Sequence, residues 1–189
     1  MLNNVILLES LNKFYSVPYN RDKLINILND HDSISLRSID WFITNYSKKN
    51  NTYYIVYHDE NNIPTFDESG NYKSNMNVFH SYKSQLKAYS KKRFDPFCRR
   101  ERIEFISHDM KINTTMGQLN FFRWAINNRI IDYIKENKDI IEDDMNISLK
   151  TIKDSGKKNK NGRKSRQELS KSALRGLNKN KLSVCITFD

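Results

Sequence analysis

The sequence contains little glycine and little cysteine, with five glycines and two cysteines among 189 residues. It has no P-loop and no G-x-G-x-x-G motif, the two glycine-rich loops that wrap phosphate groups. It also lacks C-x-x-C and H-x-x-x-H spacings, and its four histidines are scattered along the chain. These absences argue against a nucleotide-binding loop and against a metal site, so we expect no cofactor.

Long apolar runs are also missing. No window approaches the roughly 18 consecutive apolar residues of a membrane-spanning helix, so we expect no contact with a membrane. The N-terminal segment MLNNVILLESLNKF has no basic leader and is not expected to be a signal peptide. Cys98 and Cys185 are therefore expected to be reduced intracellular thiols.

Positive charge is concentrated toward the C-terminal end of the chain. The formal net charge is +10. Residues 1–149 hold 20 Lys or Arg against 19 Asp or Glu, whereas residues 150–189 hold 12 against three. The high isoelectric point therefore describes a basic tail attached to a nearly neutral body.

Three helices are predicted in the first part of the chain. Residues 4–15 and 20–29 have the pattern of short helices, with Asn20 as the expected N-cap of the second. Ser35 opens a third helix over 35–48. Its apolar residues are spaced to lie on one broad, buried face: Leu36, Ile39, Trp41, Phe42, Ile43 and Tyr46.

The middle of the chain combines strands with one helix. The β-branched and aromatic stretch TYYIVYHD (52–59) predicts a strand, and residues 60–75 have the composition of a turn-rich loop. A helix is expected over 75–94. It must end before Asp95, because the residue before Pro96 avoids the helical region. The segment RIEFIS (102–107) predicts a short second strand. The apolar stripe of the helix comprises Phe79, Tyr82, Leu86 and Tyr89.

The clearest helix is predicted over 115–137. Thr115 and Gln118 have the spacing of a capping box, and apolar residues on two sides indicate burial on both flanks. This helix and helix 75–94 are expected to pack against helix 35–48.

The sequence thus predicts an α+β fold, a mostly helical single domain with a small β-sheet and a basic flexible C-terminal arm. The domain is expected over 1–149. The arm, over 150–189, has the composition of a largely disordered segment. Its last residues, LSVCITFD, alternate as a strand does and are suited to adding to a sheet edge.

The first candidate binding surface lies in SYKSQLKAYSKKRFDPFCRRERIEF (81–105). Lysines at i, i+4 and i+8 form a stripe on helix 75–94, and cations in this arrangement neutralise phosphates and release counterions. The alternative is a solvated face whose charges pair with acidic residues of the body. Tyr82 and Tyr89 either stack on bases or, as their spacing favours, belong to the core. The candidate residues, called the basic surface below, are Lys83, Lys87, Lys91, Lys92, Arg93, Arg99, Arg100 and Arg102.

The arm is the second candidate. A flexible basic segment without aromatic residues binds polyanions without reading their sequence. The alternatives are a solubilising tail or a localisation signal within KKNKNGRKSR. The candidate nucleic-acid-binding residues of the arm are Lys157, Lys158, Lys160, Arg163, Lys164 and Arg166.

Catalytic chemistry has little support in the sequence. Neighbouring arginines would lower the pKa of Cys98, with His80 or His108 as its partner and Asp95 as the orienting group. A buried or inert cysteine is the favoured interpretation. We therefore expect no catalytic residue and no enzymatic activity.

Four blocks of the sequence carry a family resemblance: SLRSIDWFITNYSKKNN, YKSQLKAYSKKRFDPFCRRERI, TTMGQLNFFRWAI with IDYI, and RQELSKSALRGLNK. In this order they resemble a family of small proteins of unknown function encoded by nucleocytoplasmic large DNA viruses of the giant-virus type. The resemblance spans nearly the whole chain. It implies a viral origin and a place in the host cell cytoplasm, in the viral factory, or in the virion. It implies no activity and no catalytic residue.

Two functions remain open. In the first, this is a non-enzymatic viral protein that binds DNA or RNA electrostatically, without sequence specificity, through the arm and the basic surface. In the second, it is a structural or assembly adaptor that binds other viral proteins, with LSVCITFD docking as a strand. The salt dependence of binding to nucleic acid distinguishes the two, because only the first releases counterions from phosphates.

Overall fold

The computed structural model describes residues 2–29, 34–60, 63–68, 70, 72–107 and 110–155. These residues form an α+β fold that is mostly helical with small antiparallel sheets, as predicted. The arm beyond residue 155, with its candidate basic residues, Cys185 and the closing LSVCITFD segment, lies outside the described residues. Helix α8 continues to Ser155, past the domain boundary expected at residue 149.

The described elements follow in chain order. The helices are α1 (Leu2–Tyr15), α2 (Pro18–Leu28), α3 (Leu36–Trp41), α4 (Ser47–Lys49), α5 (Val78–Arg93), α6 (Met116–Asn127), α7 (Ile130–Glu136) and α8 (Lys138–Ser155). One π-helical turn, Phe42–Tyr46, joins α3 to α4. The strands are β1 (Tyr53–His58), β2 (Pro64–Thr65), β3 (Tyr72–Asn77), β4 (Ile103–Ser107) and β5 (Met110–Thr114).

The strands form two antiparallel sheets. The first has the order β2-β1-β3, and the second is the β4-β5 pair. In the first sheet Tyr53 lies opposite Asn77 and His58 lies opposite Tyr72. Strand β1 was predicted at 52–59 and β4 at 102–107, and both are confirmed within a residue at each end.

Helix α6 is the centre of the core. Every residue from Gly117 to Phe122 is buried, because α1, α2, α5 and α7 all pack against this helix. Phe94, just beyond α5, lies 5.2 Å from Phe121 and 5.5 Å from Trp124 between ring centroids. The segment that follows α5 therefore packs onto α6.

The predicted helix over 35–48 is present as the continuous run α3, π turn and α4. Ser35 caps it, its Oγ accepting the Ser38 amide hydrogen at 3.0 Å. Helix α5 packs on the π turn and α4. Tyr133 of α7 meets Phe42 with ring centroids 5.4 Å apart. The expected packing onto this helix therefore runs through α5 and α7, while α6 packs mainly on other helices.

Helix α2 begins at Pro18, and the prediction of Asn20 as its N-cap is wrong. The ring of Pro18 fixes a backbone angle that suits the first turn of a helix. Asn20 is instead buried within α2, where its Nδ2 donates to the Phe14 carbonyl at 3.0 Å. The side chain therefore ties the start of α2 to the end of α1.

Two further boundaries differ from the prediction. Residues 72–77, expected as loop and helix start, form β3, and α5 begins only at Val78. The polar composition of β3 conceals a strand that antiparallel pairing with β1 stabilises. Asn77 caps α5, its Oδ1 accepting the His80 amide hydrogen at 3.1 Å.

The helix predicted over 115–137 is broken at Arg129, which has a left-handed backbone (φ 51°, ψ 29°). Its guanidinium donates from Nε to Asp132 at 2.8 Å and lies 4.1 Å from the Phe66 ring centroid. These contacts stabilise a conformation that is uncommon for a residue other than glycine. The N-terminal cap is as expected, since the Thr115 Oγ1 accepts the Gln118 amide hydrogen.

Trp124 provides the stability test of this core. The side chain is 6% exposed, and its Nε1 donates to Ser81 Oγ at 2.9 Å. Trp124→Ala should destabilise the protein by about 3–5 kcal/mol, because the truncation leaves a cavity. Trp124→Phe, which keeps a ring and loses the N–H group, should cost less. Denaturant unfolding of both variants checks this, and wild-type stability of Trp124→Ala would show that the ring does not support the core.

Candidate nucleic-acid interface

The lysines of the basic surface face solvent. Lys83, Lys87, Lys91 and Lys92 are exposed, and Arg93 is half-buried. This orientation follows from the apolar residues of α5, because Tyr82 is buried against Trp124 with ring centroids 6.2 Å apart. The lysines of α5 therefore face outward while Tyr82 packs onto α6.

The stripe is not straight, however, because Ser90 interrupts α5 with φ 57° and ψ 168°. This backbone region is nearly restricted to glycine. Lys83 and Lys87 lie before the interruption and Lys91 after it, so the expected regular spacing of all three along one helix is wrong. The turn redirects the chain and brings Phe94 into the core.

Two side chains of α6 hold the redirected segment by hydrogen bonds to its backbone carbonyls. Asn120 Nδ2 donates to the Arg93 carbonyl at 2.8 Å, and Gln118 Nε2 donates to the Pro96 carbonyl at 2.9 Å. The approach is close at Gly117, where a β-carbon would lie 3.1 Å from the Lys92 carbonyl oxygen. The Gln118 side chain therefore bonds to this segment. The second half of the predicted capping box, a hydrogen bond from the Thr115 backbone amide to the Gln118 side chain, does not form.

The loop after α5 fixes one arginine of the basic surface. Asp95 is buried, and its carboxylate accepts from the Phe97 amide at 3.1 Å and from Arg99 Nη2 at 3.0 Å. The Arg99 guanidinium also lies 4.5 Å from the Phe97 ring centroid. Arg99 is therefore oriented by Asp95 and Phe97, and Arg99, Arg100 and Arg102 are all exposed.

The alternative to a binding surface is a solvated face whose cations pair with acidic residues of the body, so the ion pairs bear on the choice. Among the described residues, Arg99 is the one member of the basic surface in an ion pair. The paired lysines of the body lie elsewhere, as in Lys23 with Asp132 at 2.7 Å and Lys111 with Glu104 at 2.8 Å. Apart from Arg99, the basic surface thus forms no ion pair in the described part of the chain, although the Asp40 carboxylate lies near Lys91.

Lys48 extends this surface, although sequence reasoning did not select it. Its Nζ lies 5.7 Å from the Phe79 ring centroid, and the Nζ of Lys83 lies 5.8 Å from the same centroid. The two cations come from α4 and α5, which are separated in sequence by the first sheet. Local spacing contains no signal for such a pair.

The interleaved tyrosines belong to the core. Tyr82 is buried, and burial raises its pKa to about 12. Tyr89 is half-buried with its ring stacked near Phe94. The interpretation that their spacing indicates packing is confirmed, and neither ring lies open on the surface for a base to stack on.

Cys98, the residue considered as a nucleophile, lies in the loop after α5. Burial raises the pKa of Cys98, and the nearby Arg102 offsets this only in part, so the expected lowering by arginines is wrong. His80 is in the first turn of α5, before the interruption at Ser90. His108 lies outside the described residues.

Asp40 lies beside the basic surface and was not selected from the sequence. It is half-buried on α3, and burial raises its pKa to about 6, although the positive charges of Arg99 and Lys91 oppose the shift. Asp95 adds to the rise by repulsion. Near neutral pH Asp40 is therefore an ionised carboxylate next to the cations, and its partial burial disfavours the charged form.

The fold described above is that of a small α+β protein with a basic face. The chain belongs to the family described as "Family of unknown function (DUF7197)", whose model matches residues 2–189. No solved structure matches the chain significantly.

A relative comes from a giant virus. "Uncharacterized protein L507" of Acanthamoeba polyphaga mimivirus is 39% identical to this chain over 137 residues. The match covers 69% of this chain and 49% of the relative, so the chain spans about half the length of the curated relative it matches. Together with the family match, this confirms the resemblance to a family of large-DNA-virus proteins.

Two features are absent from the residues described above. Within them, no helix is both long enough and apolar enough to cross a membrane. In the same part of the chain, no three His, Cys, Asp or Glu side chains gather in an arrangement that would hold a metal ion.

The raised pKa of Asp40 predicts a dependence of stability on pH. A folded-state pKa of about 6 against 3.8 in the unfolded chain means that the folded state binds more protons between these values. The contribution of Asp40 to stability is therefore greatest below pH 4 and is lost as pH rises through 6. Asp40→Asn removes this loss and should be more stable than wild type at pH 7 by on the order of 1–3 kcal/mol.

Urea unfolding at several pH values tests this expectation. The stability difference between Asp40→Asn and wild type should grow from pH 4 to pH 6 and then level off. Asp143→Asn, at an exposed position of α8, is the matched control. A difference between Asp40→Asn and wild type that does not change with pH would contradict the assignment to Asp40.

Proposed function

We propose that this protein is a non-enzymatic viral nucleic-acid-binding protein, which attaches to DNA or RNA through the basic surface and the arm. The observation that carries the proposal is the small number of ion pairs on this surface. Of the basic surface, Arg99 alone forms an ion pair within the described residues. Exposed cations that form no ion pair are free to neutralise phosphates, which releases the counterions condensed on the nucleic acid.

The chemistry of the surface favours contact with the nucleic-acid backbone. Lysines on α5 supply flexible point charges, whereas Arg99 is held in place by Asp95 and Phe97. Tyr82 and Tyr89, the candidates for stacking on bases, are packed in the core instead. Such a surface binds phosphates and carries no direct reading of sequence.

The arm adds to this charge in the proposed mode of binding. Residues 156–189 contain ten Lys or Arg. A tethered basic segment raises the number of phosphates neutralised without any requirement for a fixed geometry. The place of action proposed is the viral factory in the host cytoplasm, or the virion, where viral nucleic acid is concentrated.

An assembly adaptor that binds other viral proteins is the second candidate, and exposed apolar residues on the first sheet favour it. Tyr53 on β1 is 73% exposed and Tyr72 on β3 is 64% exposed. Strand β3 pairs only with β1 among the described strands. A partner strand would add to that edge by main-chain hydrogen bonds.

The salt dependence of binding to duplex DNA tests the first proposal. Lys87, Arg100 and Arg102 are exposed and form no ion pair within the described residues. Replacing all three with Ala should reduce the slope of log K against log salt by up to about 2.7, at about 0.9 for each phosphate contact. Fluorescence anisotropy with a labelled duplex of random sequence measures this slope.

The control removes the same charge elsewhere. Lys73, Lys135 and Lys138 lie outside the basic surface, and replacing them with Ala should leave the slope nearly unchanged. Arg99 is kept in both variants, because its loss would leave the buried Asp95 unpaired. Deleting residues 156–189 should reduce the slope by about 4.5 if half of its cations bind phosphate. Absence of binding at low salt would leave the adaptor as the better account.

A further inference from the structure

A cleft of about 410 Å³ lies where the end of α1, the start of α2 and the middle of α6 meet. Small-molecule sites have volumes of about 300–1,000 Å³. The described residues of the lining include two cationic side chains, Lys13 and Arg123, and no aspartate or glutamate. It contains no residue of the basic surface, so it is a separate feature of the molecule.

Arg123 is half-buried and fully oriented by neutral groups. Its Nη1 donates to Ser10 Oγ at 2.8 Å, and its Nη2 donates to Asn120 Oδ1 at 2.6 Å and to the Tyr89 hydroxyl at 3.4 Å. A guanidinium has five N–H donors, so these three bonds leave two unused by the described residues. The arginine is held ready for a planar, multidentate contact.

The contacts of Arg123 bring three helices together, but they supply no negative charge. None of the described carboxylates forms an ion pair with Arg123, and Lys13 lines the same cleft. Partly buried charge is costly without an opposite charge nearby. An anion in the cleft would supply it, with bidentate hydrogen bonds to the guanidinium.

Two backbone carbonyls beside the cleft are already used as acceptors. The Phe14 carbonyl accepts from Asn20 Nδ2, and the Lys13 carbonyl accepts from Ser16 Oγ. The first turn of α2, which begins beside the cleft, contains no acidic residue. The charged side chains of the described lining, Lys13 and Arg123, are therefore both hydrogen-bond donors.

The rest of the lining is apolar. Phe14 and Ile63 are half-buried, and Val17 is 40% exposed. An inorganic ion would use only the cationic part of such a cleft. A ligand that joins a charged group to a planar or apolar group would use both parts.

We propose that this cleft binds a phosphomonoester, with the phosphate on Arg123 and Lys13 and the attached group against Phe14. A phosphate dianion matches two cations and the fork of a guanidinium better than a single carboxylate does. The same chemical group is carried by a free mononucleotide and by the 5′-phosphorylated end of a nucleic-acid strand. The inference does not depend on the function proposed for the basic surface.

Titration of the full-length protein with AMP and with adenosine, at low ionic strength, tests the phosphate contact. Isothermal calorimetry should show binding of AMP and at least tenfold weaker binding of adenosine. Arg123→Gln should weaken AMP binding at least tenfold, and Lys13→Gln should weaken it severalfold. Equal affinity for AMP and adenosine, or wild-type affinity of AMP for both variants, would overturn the proposal.

Folding and the source of the phosphate are controlled separately. Lys13 is exposed, so Lys13→Gln decides the matter if circular dichroism shows that Arg123→Gln does not fold. A 5′-phosphorylated trinucleotide that binds tighter than both AMP and its unphosphorylated form would assign the site to strand ends, and binding no tighter than AMP would assign it to free nucleotides. The variant with Lys87, Arg100 and Arg102 replaced by Ala should bind AMP as wild type does. A loss of AMP binding at the cleft is thereby distinguished from a loss of nucleic-acid binding at the basic surface.

Discussion

Two buried amide side chains on α6 hold the segment that follows α5, in the middle of the basic surface. Gln118 and Asn120 are almost fully buried, and each donates a hydrogen bond to a backbone carbonyl of the segment that follows α5. A buried amide left without a partner costs about 1–3 kcal/mol, so both bonds are strongly favoured. They fix the path of residues 93–96 and allow Phe94 to enter the aromatic core. The orientation of the cations on either side of this segment follows.

Asn120 also connects the two candidate sites. Its Nδ2 donates to the Arg93 carbonyl beside the basic surface, and its Oδ1 accepts from Arg123 in the cleft. Since one side chain makes both bonds, α6 contacts both the segment that follows α5 and the arginine of the cleft. The basic surface itself lies on α5 and the loop after it, so the two sites are joined through α6 although they differ in chemistry.

Local signals in the sequence were sufficient for much of the fold. Ser35 and Thr115 act as helix caps because their side chains bond within three residues, and β1 is recognisable from its β-branched and aromatic content. Polar β3 was missed because its stability comes from pairing with β1. The interruptions at Ser90 and Arg129 depend on contacts with distant residues such as Phe66. The outward lysines were predictable from the periodicity of α5, whereas the cleft joins Lys13 and Arg123 from opposite parts of the chain.

A lysine-modification footprint of the full-length protein on DNA tests the central claim most directly. The reactivity of each lysine toward an acylating reagent is measured by mass spectrometry, with and without a saturating duplex of random sequence. The account predicts protection of Lys83, Lys87, Lys91 and Lys92, with unchanged reactivity at Lys73, Lys135 and Lys138. Protection of the second group without the first would contradict the assignment of the phosphate-binding face to the end of α5.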